Sequence, residues 1–204
     1  MTKIKICGLS RPIDIDMVNE ARPDYIGFVF AKSKRQVSVD TALELKQGLH
    51  SGISAVGVFV NEEPEKIIRI CQGGIIDIIQ LHGDEDESYL YQLRKKVSNP
   101  IMKAVRVRTM EDIKKADNLN CDFLLLDAYH EKEYGGSGIT FDWSVIHGIT
   151  KPFFLAGGIH SGNVDKAIAL TGPYGIDVSS GVEIGGYKDK NKVIDMITKV
   201  RSVR

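Results

Sequence analysis

The segment KIKICGLSRPIDIDMVNEARPDYIGFVF, residues 3–30, contains the pattern that decides the fold. It begins with a short run rich in β-branched residues, 4–7, and ends with a second such run, 25–30. Between them, Pro12 stands where a first helical turn would begin, and IDMVNEA follows it. A strand, a helix and a second strand at a spacing of about 25 residues predict a βαβ unit with parallel strands.

The same alternation continues to the end of the chain. Short apolar runs predict eight strands, at residues 4–7, 25–30, 55–60, 76–81, 101–105, 123–126, 153–156 and 176–179. Helical signals separate them: Ser38 precedes VDTALELKQG, Pro64 opens EKIIRIC, and Asn163 precedes VDKAIAL. The sixth helix is the weakest, because FDWSVIHG offers barely two turns. We therefore predict an α/β fold, a single-domain (β/α)8 TIM barrel over residues 1–204.

Composition argues against several classes of protein. The chain has 27 Lys and Arg residues and 27 Asp and Glu residues, so its formal net charge is zero, and no basic stretch indicates a nucleic-acid partner. No run of roughly 18 apolar residues predicts a membrane span, and the charged amino terminus lacks the apolar core of a secretory signal. The cysteines, Cys7, Cys71 and Cys121, lie far apart without a CxxC pair. We expect a cytoplasmic protein without disulfides or a structural zinc site.

Two glycine-rich stretches, LAGGI and DVSSGVE, follow the seventh and eighth predicted strands. Binding and catalytic groups of a (β/α)8 barrel gather at the carboxyl ends of its strands, and a phosphate site is often built from loops seven and eight. Glycines let backbone N–H groups approach an anion closely, although a single Gly-Gly is more often a tight turn. Together the two stretches predict a small phosphorylated ligand. The sequence is compatible with either a monomer or a homodimer.

Four side chains near the predicted strand ends are candidates for chemistry. Asp127 closes FLLLDA far from the next helix, so a functional acid fits better than a helix cap, provided that burial raises its pKa from about 3.9. Cys7 ends the first strand just before a glycine, whereas a free cysteine is commonly an inert hydrophobe. Arg35 fits either a solvated basic loop or a clamp for a substrate carboxylate. His82 lacks the spacing of a metal site, so we expect no metal.

The chain resembles one known family, phosphoribosylanthranilate isomerase of tryptophan biosynthesis, in eight motifs that occur in the expected order. They are KICGL, GFVF with SKR, VGVFVN, QLHGDE, LLLDA, GGSG with FDW, LAGGI with NV, and DVSSGVE, which together run from residue 5 to residue 183. The resemblance implies a cofactor-free Amadori rearrangement by general acid–base catalysis. The substrate would be N-(5-phosphoribosyl)anthranilate, and the product 1-(2-carboxyphenylamino)-1-deoxyribulose 5-phosphate.

The resemblance also implies roles for individual residues. Cys7 would be the general base, Asp127 the general acid, and Arg35 the contact to the anthranilate carboxylate. His82 and Asp177 would support the substrate from the pocket wall. Phosphate binding would fall to backbone groups around four residues, Gly157, Gly158, Ser180 and Gly181.

Strand parity extends the candidate site below the thiol. If Cys7 faces the pocket, Lys5 faces the same way about 7 Å lower, and a buried ammonium needs a partner. We predict an ion pair of Lys5 with Asp177 on the eighth strand, and we hypothesise that Lys5 lowers the pKa of Cys7. The same parity predicts that Gln80 and Lys103 face the barrel interior.

Two alternatives stay open at this point. One is another phosphosugar barrel, such as a histidine-pathway Amadori isomerase; such enzymes resemble two half-barrels with paired aspartates, whereas this chain offers Cys7 and no half-to-half repeat. The other is a non-catalytic phosphate-ligand or flavin barrel in which Cys7 is merely packed. Turnover by variants at Cys7 and Asp127 distinguishes these readings.

Overall fold

The computed structural model describes residues 1–128 and 141–203 of the 204-residue chain. Its eight parallel strands form a closed barrel in chain order, with the last strand paired to the first. They are β1 (Lys3–Cys7), β2 (Tyr25–Val29), β3 (Ser54–Phe59), β4 (Ile78–Leu81), β5 (Ile101–Val107), β6 (Phe123–Ala128), β7 (Phe153–Leu155) and β8 (Gly175–Val178). The predicted (β/α)8 barrel is confirmed. The GGSG motif at residues 135–138 lies outside the described residues.

Helices connect successive strands around the outside of the barrel. They are α1 (Pro12–Ala21), α2 (Val39–Gln47), α3 (Pro64–Gln72), α4 (Glu87–Arg94), α5 (Met110–Asp117), α6 (Val164–Thr171) and α7 (Lys190–Ser202). Ser38 caps α2, as predicted, by accepting the backbone N–H of Thr41. The weak sixth helix is a single 3₁₀ turn, Trp143–Val145, within the described part of that connection. No helix in the described ranges has the length and apolar character needed to cross a bilayer.

The strands separate two apolar cores. The larger lies between the strands and the helices and contains Ile4, Phe28 and Leu124. The smaller fills the lower barrel interior and consists of Val56, Ile78, Met102, Ala104, Leu125, Phe154 and Ala156. Tyr25 packs edge-on against Phe154 at 5.4 Å between ring centroids. Aromatic rings thus close the amino-terminal end of the barrel and leave the carboxyl end for polar groups.

The strand register decides which side chains face the interior. Gln80 is the register partner of Met102 in the inner core, so Gln80 faces inward as predicted. Lys103 instead is the register partner of Leu124 in the outer core. The prediction that Lys103 faces the interior is wrong, because Lys103 is one residue out of phase with Met102. Its ammonium lies outside the barrel wall, 2.9 Å from the buried carboxylate of Glu85.

A short antiparallel hairpin follows β8. It comprises β9 (Glu183–Ile184) and β10 (Tyr187–Lys188), which pair Glu183 directly with Lys188. The two-residue turn between them is Gly-Gly, and both glycines have positive φ, 59° and 85°. Arg11 lies 4.3 Å over the ring of Tyr187 and ties the hairpin to the start of α1. The hairpin therefore stands beside the carboxyl end of the barrel in a fixed position.

Candidate active site

A cavity of about 740 Å³ opens at the carboxyl ends of the strands. Eight predicted site residues line it: Cys7, Arg35, His82, Asp127, Gly157, Gly158, Asp177 and Ser180. The other two, Lys5 and Gly181, do not belong to its described lining. Within the described ranges, no cluster of three or more His, Cys, Asp or Glu side chains is arranged to hold a metal ion. The cavity thus combines one thiol, two carboxylates, a guanidinium and a glycine-rich wall.

Cys7 lies at the end of β1, and the neighbouring strand leaves space for its thiol. A Cβ added at Gly27 of β2 would stand 2.7 Å from Cys7 Sγ, so only glycine fits there without displacing the sulfur. Burial raises the pKa of the Cys7 thiol above its ordinary value; Lys5 opposes that rise, Asp177 adds to it, and Lys188 opposes it. The charge of Lys5 therefore favours the thiolate, as hypothesised, but burial outweighs it.

Lys5 and Asp177 form an ion pair beneath the thiol. Lys5 Nζ lies 2.9 Å from Asp177 Oδ1, and the two residues are register partners where β1 meets β8. The predicted pair is confirmed. Lys5 is fully buried, and burial alone would lower its pKa. The charges of Asp177 and Cys7 outweigh burial and raise the pKa, so Lys5 stays a cation at neutral pH.

Asp127 and His82 lie next to each other in the cavity wall. Asp127 Oδ1 accepts the backbone N–H of Ala128 at 2.8 Å, and Oδ2 lies 3.2 Å from His82 Nε2 without the alignment of a hydrogen bond. Gln80 Nε2 and His82 Nδ1 are 2.8 Å apart. Gln80 Oε1 and His82 Nε2 are buried and have no hydrogen-bond partner among the described residues. A bound molecule with hydroxyl groups would satisfy these atoms.

The glycines after β7 and β8 let two loops pack tightly around Asp127. Gly157 and Gly158 have φ of 79° and 62°. A Cβ at Gly157 would stand 2.9 Å from Asp127 Oδ1, and one at Gly181 would stand 2.0 Å from the carbonyl oxygen of Ile159. The N–H groups of Gly157 and Gly158 have no hydrogen-bond acceptor in residues 1–128 or 141–203. Gly181 thus joins the two loops, while Gly157 and Gly158 offer donors to an anion.

Arg35 has a partner that the sequence analysis missed. Arg35 Nε and Nη2 donate to Glu183 Oε1 and Oε2, both at 2.8 Å. Lys188, which is 6% exposed, reaches the same carboxylate with Nζ 2.5 Å from Oε1. Lys188 Nζ also donates to the carbonyl oxygen of Ser179 at 3.0 Å. The only signal in the sequence was the glutamate that ends DVSSGVE, five residues before a lysine.

A second buried pair supports the loop that carries His82. Glu85 Oε1 accepts the N–H of Asn61, and Glu85 Oε2 accepts the N–H of Gly83, at 2.8 and 2.9 Å. Lys103 Nζ donates to the carbonyl of Gly83 at 2.7 Å and to Glu85. The QLHGDE motif therefore contributes a pocket histidine and, three residues later, the carboxylate that fixes its loop.

Comparisons with known proteins agree on one family. Residues 4–199 match the family model of N-(5'phosphoribosyl)anthranilate (PRA) isomerase. The chain is 46% identical, over 203 residues and all of both chains, to N-(5'-phosphoribosyl)anthranilate isomerase of Endomicrobium trichonymphae. The crystal structure of the Thermotoga maritima phosphoribosyl anthranilate isomerase superposes with a TM-score of 0.88 at 34% identity, covering 98% of this chain and 99% of that one.

A further solved structure contains a ligand. It is a phosphoribosyl anthranilate isomerase in complex with reduced 1-(o-carboxyphenylamino)-1-deoxyribulose 5-phosphate. It superposes with a TM-score of 0.85 at 33% identity and covers 98% of this chain and 99% of that one.

Proposed function

This chain belongs to the N-(5'-phosphoribosyl)anthranilate isomerase family, and from that premise we propose that Cys7 and Asp127 are the base and the acid of its reaction. It is an isomerase of tryptophan biosynthesis that rearranges N-(5-phosphoribosyl)anthranilate to 1-(2-carboxyphenylamino)-1-deoxyribulose 5-phosphate. The observation that carries the proposal is that Cys7 and Asp127 line one cavity together with Arg35. The matched relatives favour neither a histidine-pathway isomerase nor a non-catalytic phosphate-binding barrel.

The first step is opening of the sugar ring. The carboxyl group of Asp127 donates a proton to the ribose ring oxygen, the C1'–O bond breaks, and the nitrogen lone pair forms a protonated Schiff base. Asp127 is 4% exposed and lines the cavity, which supports contact of its carboxyl group with a bound sugar. The nearby His82 Nε2 supports a fixed orientation of Oδ2. Asp127 therefore acts as a general acid.

The second step is removal of the C2' hydrogen, which the Schiff base makes acidic. The Cys7 thiolate takes this proton and leaves an enolamine. The enolamine then tautomerises: C1' gains a proton and the C2' hydroxyl loses one, which returns Cys7 to the thiolate and Asp127 to the acid, so the product ketone is an isomer of the substrate. Lys5 and Lys188 support the thiolate against the effect of burial. Because acid–base groups alone drive the ring opening and the tautomerisation, with no net oxidation or reduction, these steps are written without a cofactor or a metal.

The two anionic ends of the substrate have separate binding groups. The guanidinium of Arg35 binds the anthranilate carboxylate, since guanidinium and carboxylate match in shape and charge. The phosphate lies against the loops after β7 and β8, where Gly157, Gly158, Ser180 and Gly181 supply the backbone. The unpartnered N–H groups of Gly157 and Gly158 support this assignment. His82 and Asp177 complete the wall, and the enzyme acts in the cytoplasm on this small phosphorylated molecule.

The test follows consumption of enzymatically generated phosphoribosylanthranilate by purified protein. We expect Cys7→Ala and Asp127→Ala to lower kcat by about 10²–10⁴-fold while still binding the reduced product. Cys71→Ala, a thiol on α3, is the control and should turn over normally. Normal turnover by both cavity variants would contradict the proposed acid–base pair.

A further inference from the structure

The guanidinium of Arg35 is bound from one side only. Arg35 lines the cavity, whereas Glu183 and Lys188 do not belong to the lining. Glu183 takes the edge formed by Nε and Nη2, which uses two of the five guanidinium N–H donors. Nη1 has no hydrogen-bond partner within the described ranges. A bidentate bond on one edge fixes the plane of the group and leaves the remaining donors for a ligand.

The backbone at Gly8 also holds the side chain of Arg35 in place. Gly8 has a φ of 86°, and a Cβ there would stand 2.4 Å from Arg35 Cδ. The arginine stem therefore lies directly on the chain that leaves β1, one residue after Cys7. Glu183, in the first strand of the hairpin, and Gly8 below the stem together restrict a long side chain that would otherwise have many rotamers.

Charge balance explains why Lys188 is buried next to this pair. Arg35 and Glu183 alone would be a neutral pair with little attraction for an anion. Lys188 adds a positive charge, so the three groups carry two positive charges and one negative. Burial raises the pKa of Glu183, but hydrogen bonds from Arg35 and Lys188 outweigh it and hold the pKa below its ordinary value. Glu183 is therefore ionised at neutral pH. Burial lowers the pKa of Lys188 below its ordinary value and the Glu183 carboxylate opposes that fall; with Lys188 protonated, the cluster has a net positive charge.

We propose that Glu183 and Lys188 are positioning residues that make Arg35 selective for the substrate carboxylate. Glu183 holds the guanidinium plane, and Lys188 neutralises Glu183 so that Arg35 keeps its attraction for a carboxylate in the cavity. Lys188 itself is fixed by Ser179, whose hydroxyl donates to the carbonyl of Cys7 at 3.0 Å. This inference rests on the proposed role of Arg35.

The experiment compares two ligands on each variant. One is reduced 1-(o-carboxyphenylamino)-1-deoxyribulose 5-phosphate, and the other is the same molecule without the carboxylate. The dissociation constant of the ligand without the carboxylate, divided by that of the ligand with it, measures carboxylate recognition alone. We expect Lys188→Met to reduce this ratio by about tenfold or more, because the cluster loses its net positive charge. Glu183→Gln should also reduce it, because the guanidinium loses the carboxylate that holds its plane, although the cluster gains positive charge. Affinity for the ligand without the carboxylate should change little.

Two further variants separate positioning from a general structural effect. Lys188→Arg keeps the charge and should restore most of the ratio. Lys190→Met removes an exposed charge two residues away, on α7, and should leave the ratio unchanged. If Lys188→Met does not fold, Glu183→Gln and Lys188→Arg still give the comparison.

The outcomes distinguish the inference from its premise. If Glu183→Gln and Lys188→Met had the same ratio as the unmodified enzyme, the positioning role would be wrong. If Arg35→Met reduced the ratio in the same experiment, the proposed contact of Arg35 with the carboxylate would still stand. If the unmodified enzyme bound both ligands equally, the role of Arg35 and the inference would both be wrong.

Discussion

Lys5 Nζ and Asp177 Oδ1 lie 2.9 Å apart where the first strand of the barrel meets the last. The pair lies beneath Cys7, and Asp177 lines the cavity. Its charges act on the thiol in opposite directions, because Lys5 lowers the thiol pKa and Asp177 raises it. The effect of Lys5 is the larger of the two, so removing the lysine should be measurable at the sulfur.

Lys5→Met should raise the pKa of Cys7 further, since an opposite charge is lost from a buried site. The measurement is the pH dependence of Cys7 alkylation in a Cys71→Ala, Cys121→Ala background. Lys5→Met with Asp177→Asn should shift in the same direction without leaving an unpaired buried carboxylate. An alkylation midpoint equal to that of the parent would rule out the electrostatic role of Lys5.

Gly27→Ala should lower kcat, because the new Cβ would stand 2.7 Å from Cys7 Sγ and displace the sulfur. The matched control is Gly57→Ala on β3, whose Cβ would meet Ile76 Cδ1 at 2.8 Å, outside the cavity. Both variants overpack a strand and should cost about 1–3 kcal/mol of unfolding free energy. The measurements are kcat and the thermal melt of each variant. If Gly27→Ala and Gly57→Ala lost kcat equally, the position of the thiol would be unimportant.

Gln80→Met should separate binding from stability. The change removes the contact of Gln80 Nε2 with His82 Nδ1, but it also removes a buried Oε1 atom without a described partner. We expect the unfolding free energy to change by less than about 1 kcal/mol, and kcat/KM to fall by about tenfold. Gln72→Met on the surface of α3 is the control. Unaltered kcat/KM would show that Gln80 serves only to fill the interior.

Strand parity explains what the sequence could and could not predict. Lys5, Cys7 and Asp177 were placed correctly because parallel neighbours in a closed barrel share one alternation. Lys103 was placed wrongly, because the true phase of β5 puts Met102 inward and Lys103 among the helices. The hairpin that presents Lys188 depends on a turn of two glycines after a strand of only two residues. A strand that short has no readable alternation.

The sequence also did not show which positions require glycine for steric reasons. The glycine-rich loops suggested phosphate binding, but the contact of Gly157 with Asp127 depends on the register between the neighbouring strands β6 and β7. The same holds for Gly27 beneath the thiol. Such contacts follow from the register between neighbouring strands, which no local sequence pattern predicts.

Asp117 should make stability depend on pH at the amino-terminal end of β7. Its carboxylate accepts the N–H groups of Thr150 and Lys151, both at 3.0 Å. Burial would raise the pKa of Asp117, but these hydrogen bonds outweigh it and the pKa lies below its ordinary value. A depressed carboxyl pKa stabilises the fold above the unfolded-state pKa of about 3.9, and this stability is lost as pH falls through the folded-state value.

Asp117→Asn should therefore lower the Tm at pH 7, and its difference from the parent should shrink as the pH falls below about 4. Thermal melts at several pH values measure the difference. Asp16→Asn, at an exposed position on α1, is the control and should track the parent throughout. A difference that stays constant down to about pH 2 would exclude an ionic contribution from Asp117.

The closure of β8 onto β1 joins side chains 172 positions apart in the chain. During translation the thiol of Cys7 emerges early, at a synthesis rate of about 5–20 residues per second, and lacks the ion pair beneath it until the eighth strand leaves the ribosome. Nascent chains that stop before residue 175 should thus present Cys7 without the Lys5–Asp177 pair beneath it, and their pH profile of Cys7 alkylation should differ from that of completed chains. The alkylation profile of Cys7 therefore reports when the first and last strands of the barrel have joined.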